Sequence, residues 1–321
     1  MNPKLIKFLK IILPLIVGVF LIWYSISSAT PQERQKTFQY IMQADPKWIL
    51  LSITLGVISH LARAYRWKFL LAPLGYSVKL SNSFMAVMIG YLANLGIPRS
   101  GEILRGGTIS TYENIPFKKA FGTIISERVI DLLMLLLIIA ITLLFQSELL
   151  LSYLQEKIAS PFISLAILIG LLICGIIFLR AIKTSTNPIL IKLRNFGDGL
   201  LEGVKSISKI KQRKAFIFYT FLIWGLYICM FYVIKFTVPE TASLPIGPIL
   251  ATFVAGSFAM STTNGGIGAF PIAIAAILLL FGIEKPAGEA LGWILWGSQT
   301  AINIIIGALS FLFLPILNRE K

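Results

Sequence analysis

Apolar stretches long enough to cross about 30 Å of hydrocarbon, roughly 20 residues each, recur from one end of this chain to the other. They run at about Leu5 to Ile26, Trp48 to Leu71, Leu80 to Ile97, Phe117 to Phe145, Pro161 to Leu179, Ala215 to Thr237, Ile246 to Phe281 and Ala290 to Leu314. Charged residues make up 13% of the sequence, too few to coat a water-facing surface when a soluble domain carries about 25%. The expected architecture is all-α, a polytopic membrane helical bundle formed by residues 1–321 as a single domain, with no room left for a soluble one.

The first segment follows Lys4, Lys7 and Lys10 and is trailed by Ser27, Ser28 and Ala29, an arrangement shared with cleavable signal peptides. It is long enough to stay as an uncleaved first span, and the topology requires it. Eight segments do not imply eight crossings, because two are interrupted by helix breakers. Gly96 and Pro98 break the third, and Gly265, Gly266 and Gly268 break the seventh.

Basic residues decide how the chain threads. The sequence carries 29 Lys and Arg against 14 Asp and Glu, a formal charge of +15. They cluster between apolar runs, which is the cytoplasmic-loop bias of membrane proteins rather than a nucleic-acid footprint. The segment from Arg180 to Lys214 holds nine of them against Asp198 and Glu202, so it is read as a cytoplasmic loop. That placement fits an inside N-terminus only if the third segment enters and leaves from the cytoplasm. Arg319 and Lys321 end inside only if the seventh dips in from the other face. About six full spans plus two broken re-entrant hairpins result, with both termini cytoplasmic, in the inner (plasma) membrane. Opposed breaks near the midplane are a mark of inverted repeats, and irregular backbone at that depth must be covered by protein or line a wet cavity. Within the basic loop, Leu193, Phe196, Leu200, Val204 and Ile207 recur at helical spacing among cations. Such a helix can lie on the inner leaflet or pack on the bundle.

Ionisable side chains at membrane depth are costly and therefore functional candidates. Arg63 and Arg66 share one face near the end of the second span, beside Trp67 and Lys68, where snorkelling at the interface is the plain alternative. Asn94, Pro98, Arg99, Glu102 and Arg105 follow the apolar part of the first hairpin, and their arginines offer forked donors suited to a phosphate headgroup. Structurally, Glu102 can instead pair with Arg99 or Arg105. Glu127, Arg128 and Asp131 open a long apolar run. Glu127 and Asp131, four apart, can face a polar cavity, pair with those arginines or take up a proton. In the second hairpin Asn264, Gly265, Gly266 and Gly268 are uncharged, and their exposed backbone can line a polar path. Cys174 and Cys229 sit inside apolar runs and imply no disulfide, and with His60 alone neither a metal nor any other cofactor is expected.

The stretches Arg63 to Leu71 (RAYRWKFLL), Gly90 to Arg105 (GYLANLGIPRSGEILR), Glu127 to Asp131 (ERVID) and Asn264 to Phe270 (NGGIGAF), in that order, resemble the flippase-like membrane domain of lysylphosphatidylglycerol synthases. The resemblance covers nearly the whole chain. It implies movement of a polar lipid between leaflets, and not aminoacyl transfer, which in those synthases belongs to a separate soluble domain. Where the family often has proline before the paired glycines and glutamate soon after the last one, this chain has Asn264 and Pro271. A carboxylate role in the second hairpin is therefore not implied.

Three functions remain on the sequence. The first is a flippase or transporter, not an enzyme, for an anionic or polar lipid, phospholipid or polyprenyl-linked. Arg63, Arg66, Arg99 and Arg105 would hold the headgroup, and the hairpins would serve as gates. The second is a membrane enzyme acting on lipid-linked phosphate through Glu102, Glu127 or Asp131. The third is a non-transporting partner of a membrane-bound synthase or glycosyltransferase. Membrane lipids are the expected partners, nucleic acid is not, and the oligomeric state is open.

Overall fold

The computed structural model describes residues 3–97, 100–146, 191 and 210–319. Most of the basic loop, with its amphipathic run, the fifth apolar segment, Pro98 and Arg99 lie outside the described residues. Ten α-helices are present among the described residues: α1 (Pro3–Ser28), α2 (Pro31–Gln43), α3 (Pro46–Leu71), α4 (Leu80–Gly96), α5 (Ser100–Glu113), α6 (Phe117–Phe145), α7 (Arg213–Ile234), α8 (Ile246–Thr262), α9 (Ala269–Leu279) and α10 (Lys285–Leu317). Among the described residues, four helical stretches are long and apolar enough to cross a bilayer: Pro46–Leu74, Phe117–Phe145, Arg213–Thr237 and Lys285–Leu317. The protein is a helical membrane bundle. The chain divides into two compact units, residues 1–127 with 210–321, and residues 128–209. Of the second unit, the described residues are the remainder of α6, Gln146 and Ile191.

Local chemistry sets several helix starts. Thr30 and Glu33 form a reciprocal capping box at α2, with Pro31 in its first turn. Asp45 accepts the Lys47 N–H at 3.0 Å ahead of Pro46, fixing the start of α3. The buried residues of α3 include Ser52, Gly56, Ser59, Arg63, Arg66 and Leu70, spaced three or four apart on one stripe, with His60 and Trp67 alongside. The antiparallel α7 lies along α3, pairing Tyr65 with Tyr219 and Arg66 with Thr220, and Phe236, just past its end, meets Trp48.

Polarity in the first unit is inverted relative to a soluble protein. Phe218, Phe221, Phe311, Leu312 and Ile316 are exposed on α7 and α10, whereas Arg66 and Glu127 are 0% and 1% exposed. Lipid is as apolar as those phenylalanines, so burying them gains little, and close packing through small residues takes over. On α10, Gly288 meets Ala275 and Gly292 meets Pro271, so closely that a Cβ on Gly292 would lie 2.5 Å from the Pro271 Cα.

Both interrupted segments fold as helix, break, helix. The first is α4 and α5, and its return leg is longer and more polar than the apolar run from Leu80 to Ile97 suggests. The break falls at the end of that run, so the chain comes back through Ser100–Glu113. Asn94 Oδ1 accepts the Gly101 N–H at 2.7 Å, Ser100 Oγ donates to the Ala93 and Ile97 carbonyls, and Gly101 lies against the Gly90 backbone. The second is α8 and α9, joined through Asn264–Gly268, where Gly265, Gly266 and Gly268 all have positive φ (60°, 79° and 70°). Side chains rarely adopt that region, so glycine is what lets the chain turn there. The α1 helix packs on this break, with the Gly18 carbonyl beside Gly268.

Candidate functional site

The side chain at the centre of the first unit is Glu127. It projects from α6 at 1% exposure and is met by guanidinium groups from two other helices. Arg63 from α3 donates through Nη1 to Oε1, and Arg66, one turn on, stands 3.4 Å from the same oxygen. Arg105 from α5 holds both oxygens, Nη1 to Oε1 at 3.1 Å and Nη2 to Oε2 at 2.9 Å. A carboxylate brought out of water retains its charge only if such partners replace the lost hydration.

The cations are themselves positioned from behind. The Arg105 guanidinium lies 3.9 Å from the Trp67 ring centroid, and the Trp67 indole N–H donates to Thr123 Oγ1 at 2.8 Å. Arg66 donates to Thr220 Oγ1 at 3.1 Å and stands over the Phe216 ring, while Arg63 reaches the Tyr227 hydroxyl at 3.3 Å. Arg63, Arg66 and Arg105 are each 5% exposed or less. Rather than lying open to a headgroup, these arginines are folded around Glu127.

Other residues singled out in the sequence take several places. Asn94 staples the first hairpin, and Glu102 sits in the first turn of α5, where a carboxylate complements the helix dipole. Pro98 and Arg99 lie outside the described residues. Arg128 and Asp131 continue α6 into the second unit. The second break carries Asn264, Gly265, Gly266 and Gly268. Asn264 is 1% exposed, and neither its amide oxygen nor its amide nitrogen has a hydrogen-bond partner among the described residues. The Gly265 carbonyl accepts the Trp296 indole N–H at 2.7 Å.

The two breaks meet. A Cβ placed on Gly265 would lie 2.7 Å from Leu95 Cδ2, so the last turn of α4 abuts the glycine turn. Sequence reading missed Thr123, Thr220, Tyr227 and Trp296. Their only prior signal was a polar or amphipathic side chain inside an apolar run.

A buried ion cluster, in a bundle that carries two interrupted hairpins and keeps its apolar side chains outward, defines a polytopic membrane protein built around a polar interior. The chain belongs to the family described as the lysylphosphatidylglycerol synthase TM region, whose model matches residues 11–307. It is similar to a UPF0104 membrane protein of Pyrococcus horikoshii, 26% identical over 87% of this chain and 88% of that protein. A UPF0104 membrane protein of Methanocaldococcus jannaschii is 32% identical over 30% of each chain. The glycosyltransferase AglD of Haloferax volcanii is 27% identical over 41% of this chain and 21% of its own length. No solved structure matches.

Proposed function

We propose that this protein moves a polar or anionic lipid between the two leaflets, without chemical change to the lipid. The observation that carries this is the meeting of the two hairpin breaks, Leu95 against Gly265, beside the buried amide of Asn264, which has no hydrogen-bond partner among the described residues. Broken helices at membrane depth are tolerated where they line a path, and a buried amide without a partner calls for a polar guest. The Glu127 cluster stands about two turns along α5 from the first break and supplies guanidinium donors of the kind that bind phosphate. A headgroup entering there would compete with the Glu127 carboxylate for Arg105. Membership of the family adds support, and so does the basic bias of the 180–214 region, which favours an inside placement for that loop and for both termini in a cell membrane.

The test is reconstitution in liposomes carrying a fluorescent phosphatidylglycerol, with dithionite quenching of the outer leaflet. Wild type is expected to expose lipid from the inner leaflet over time, and Gly265→Leu, which wedges the breaks, is expected to abolish this. Quenching no faster than in protein-free liposomes defeats the proposal. The similarity to AglD favours a second reading, service beside a membrane glycosyltransferase. Co-purification of such an enzyme, with no lipid movement by the chain alone, would establish it instead.

A further inference from the structure

A second polar feature lies at the C-terminal end of α3, on the side turned away from the Glu127 cluster. A pocket of about 310 Å³ opens where α3 ends, the chain turns through Tyr76–Val78, and Lys211 and Gln212 lead into α7. Its apolar lining is Phe69, Ala72, Pro73 and Val78. Its polar lining is Tyr65, Lys68, Tyr76, Ser77, Lys211 and Gln212. None of these ten lining residues is acidic. A third cation borders it: Lys119 donates to the Tyr76 hydroxyl at 3.2 Å, its ammonium 5.2 Å from that ring's centroid. Lys68 and Arg66 are two positions apart, about 200° around a helix. One helix end thus sends Arg66 inward to Glu127 and turns Lys68 toward the pocket.

We propose that this pocket binds the phosphate of an anionic phospholipid headgroup. Ammonium groups are compact point charges that bind phosphate, and hydroxyls and an amide stand beside them to take its remaining oxygens. Tyrosine and lysine at the end of a membrane span sit at headgroup depth, with stems in the apolar layer and tips in water. The apolar lining suits the glycerol and first methylenes of a lipid, a match that a free anion does not need. The proposal does not depend on lipid crossing the bilayer.

Full-length protein in detergent would be titrated calorimetrically with dihexanoyl phosphatidylglycerol, dihexanoyl phosphatidylcholine and inorganic phosphate. The anionic lipid is expected to bind at least about tenfold more tightly than either other ligand, as loss of charge-assisted contacts predicts. Lys68→Gln/Lys211→Gln is expected to weaken it about tenfold or more, and so is Ser77→Trp, which fills the pocket while keeping both charges. Ser77 is in an exposed turn, so that variant tests the site even if the double variant fails to fold. Unchanged affinity in Ser77→Trp overturns the site. Phosphatidylcholine binding equal to phosphatidylglycerol overturns the anionic preference, and inorganic phosphate binding as tightly as the lipid overturns the headgroup assignment.

Discussion

Arg105 grips Glu127 through both carboxylate oxygens while its other face rests on the Trp67 ring, 3.9 Å from the centroid. A planar fork with a π face can satisfy both neighbours in one orientation, which an ammonium cannot. In this way α5, the return leg of the first hairpin, is tied to α6 and α3 by a single side chain.

Glu127→Gln is expected to destabilise the protein by about 3–5 kcal/mol, because removing one partner of a buried ion pair leaves charge uncompensated. Arg105→Lys should fall between wild type and Glu127→Gln. Thermal unfolding in detergent measures both, and a melting temperature unchanged in Glu127→Gln would mean the cluster is not closed as described.

Gly292→Leu must push α10 away from α9, since a first side-chain carbon at that position already lies 2.5 Å from the Pro271 Cα. Overpacking of this kind costs about 1–3 kcal/mol or more. Gly297→Leu, with open space around its Cβ position, is the control on the same helix and should melt near wild type.

Trp296→Phe keeps the ring but removes the donor to the Gly265 carbonyl, which would leave a carbonyl of the glycine turn without that bond. The expected cost is about 1–3 kcal/mol. Hydrogen exchange at residues 264–268 should rise in the variant. Unchanged protection there would show that the turn is held by other means.

Acid sensitivity is expected at the α2 and α10 ends. The Lys36 ammonium, and next the Tyr40 hydroxyl, hold the Glu284 carboxyl below the ordinary glutamate range. A depressed value in the folded state contributes stability above the unfolded value of about 4.3, and that contribution is lost as pH falls through the folded value. Both side chains are partly exposed, 48% and 40%, so the effect should stay under about 1 kcal/mol. The melting-temperature gap between wild type and Glu284→Gln should be present at pH 6 and close below about pH 4. A gap that widens on acidification would contradict the sign.

The long apolar runs were legible at once. Phe117–Phe145 is a single helix with the bounds its hydropathy suggests, because no proline falls inside it and a helix satisfies its own backbone in lipid. The glycines at 265, 266 and 268 likewise marked a turn before any coordinates did. Pairing was far less legible. Glu127 could be matched to arginines by charge alone, yet nothing local says that Arg63, Arg66 and Arg105 converge on it, since they come from helices joined through distant turns. Thr123 and Thr220 spend their hydroxyls on arginine and tryptophan partners that no spacing rule connects. The polar α2 helix has too little apolar periodicity to stand out, though Thr30 and Glu33 carry its capping signature. Arg99, expected to hold a headgroup, lies outside the described residues.

The contact between Leu95 and Gly265 joins the two hairpin tips through one aliphatic side chain. A contact that small is released by a rotamer change or a small slide of α4, without unwinding either leg. The fit therefore rests on the tips staying in register, and a larger residue at 265 or a smaller one at 95 would change their spacing in opposite directions.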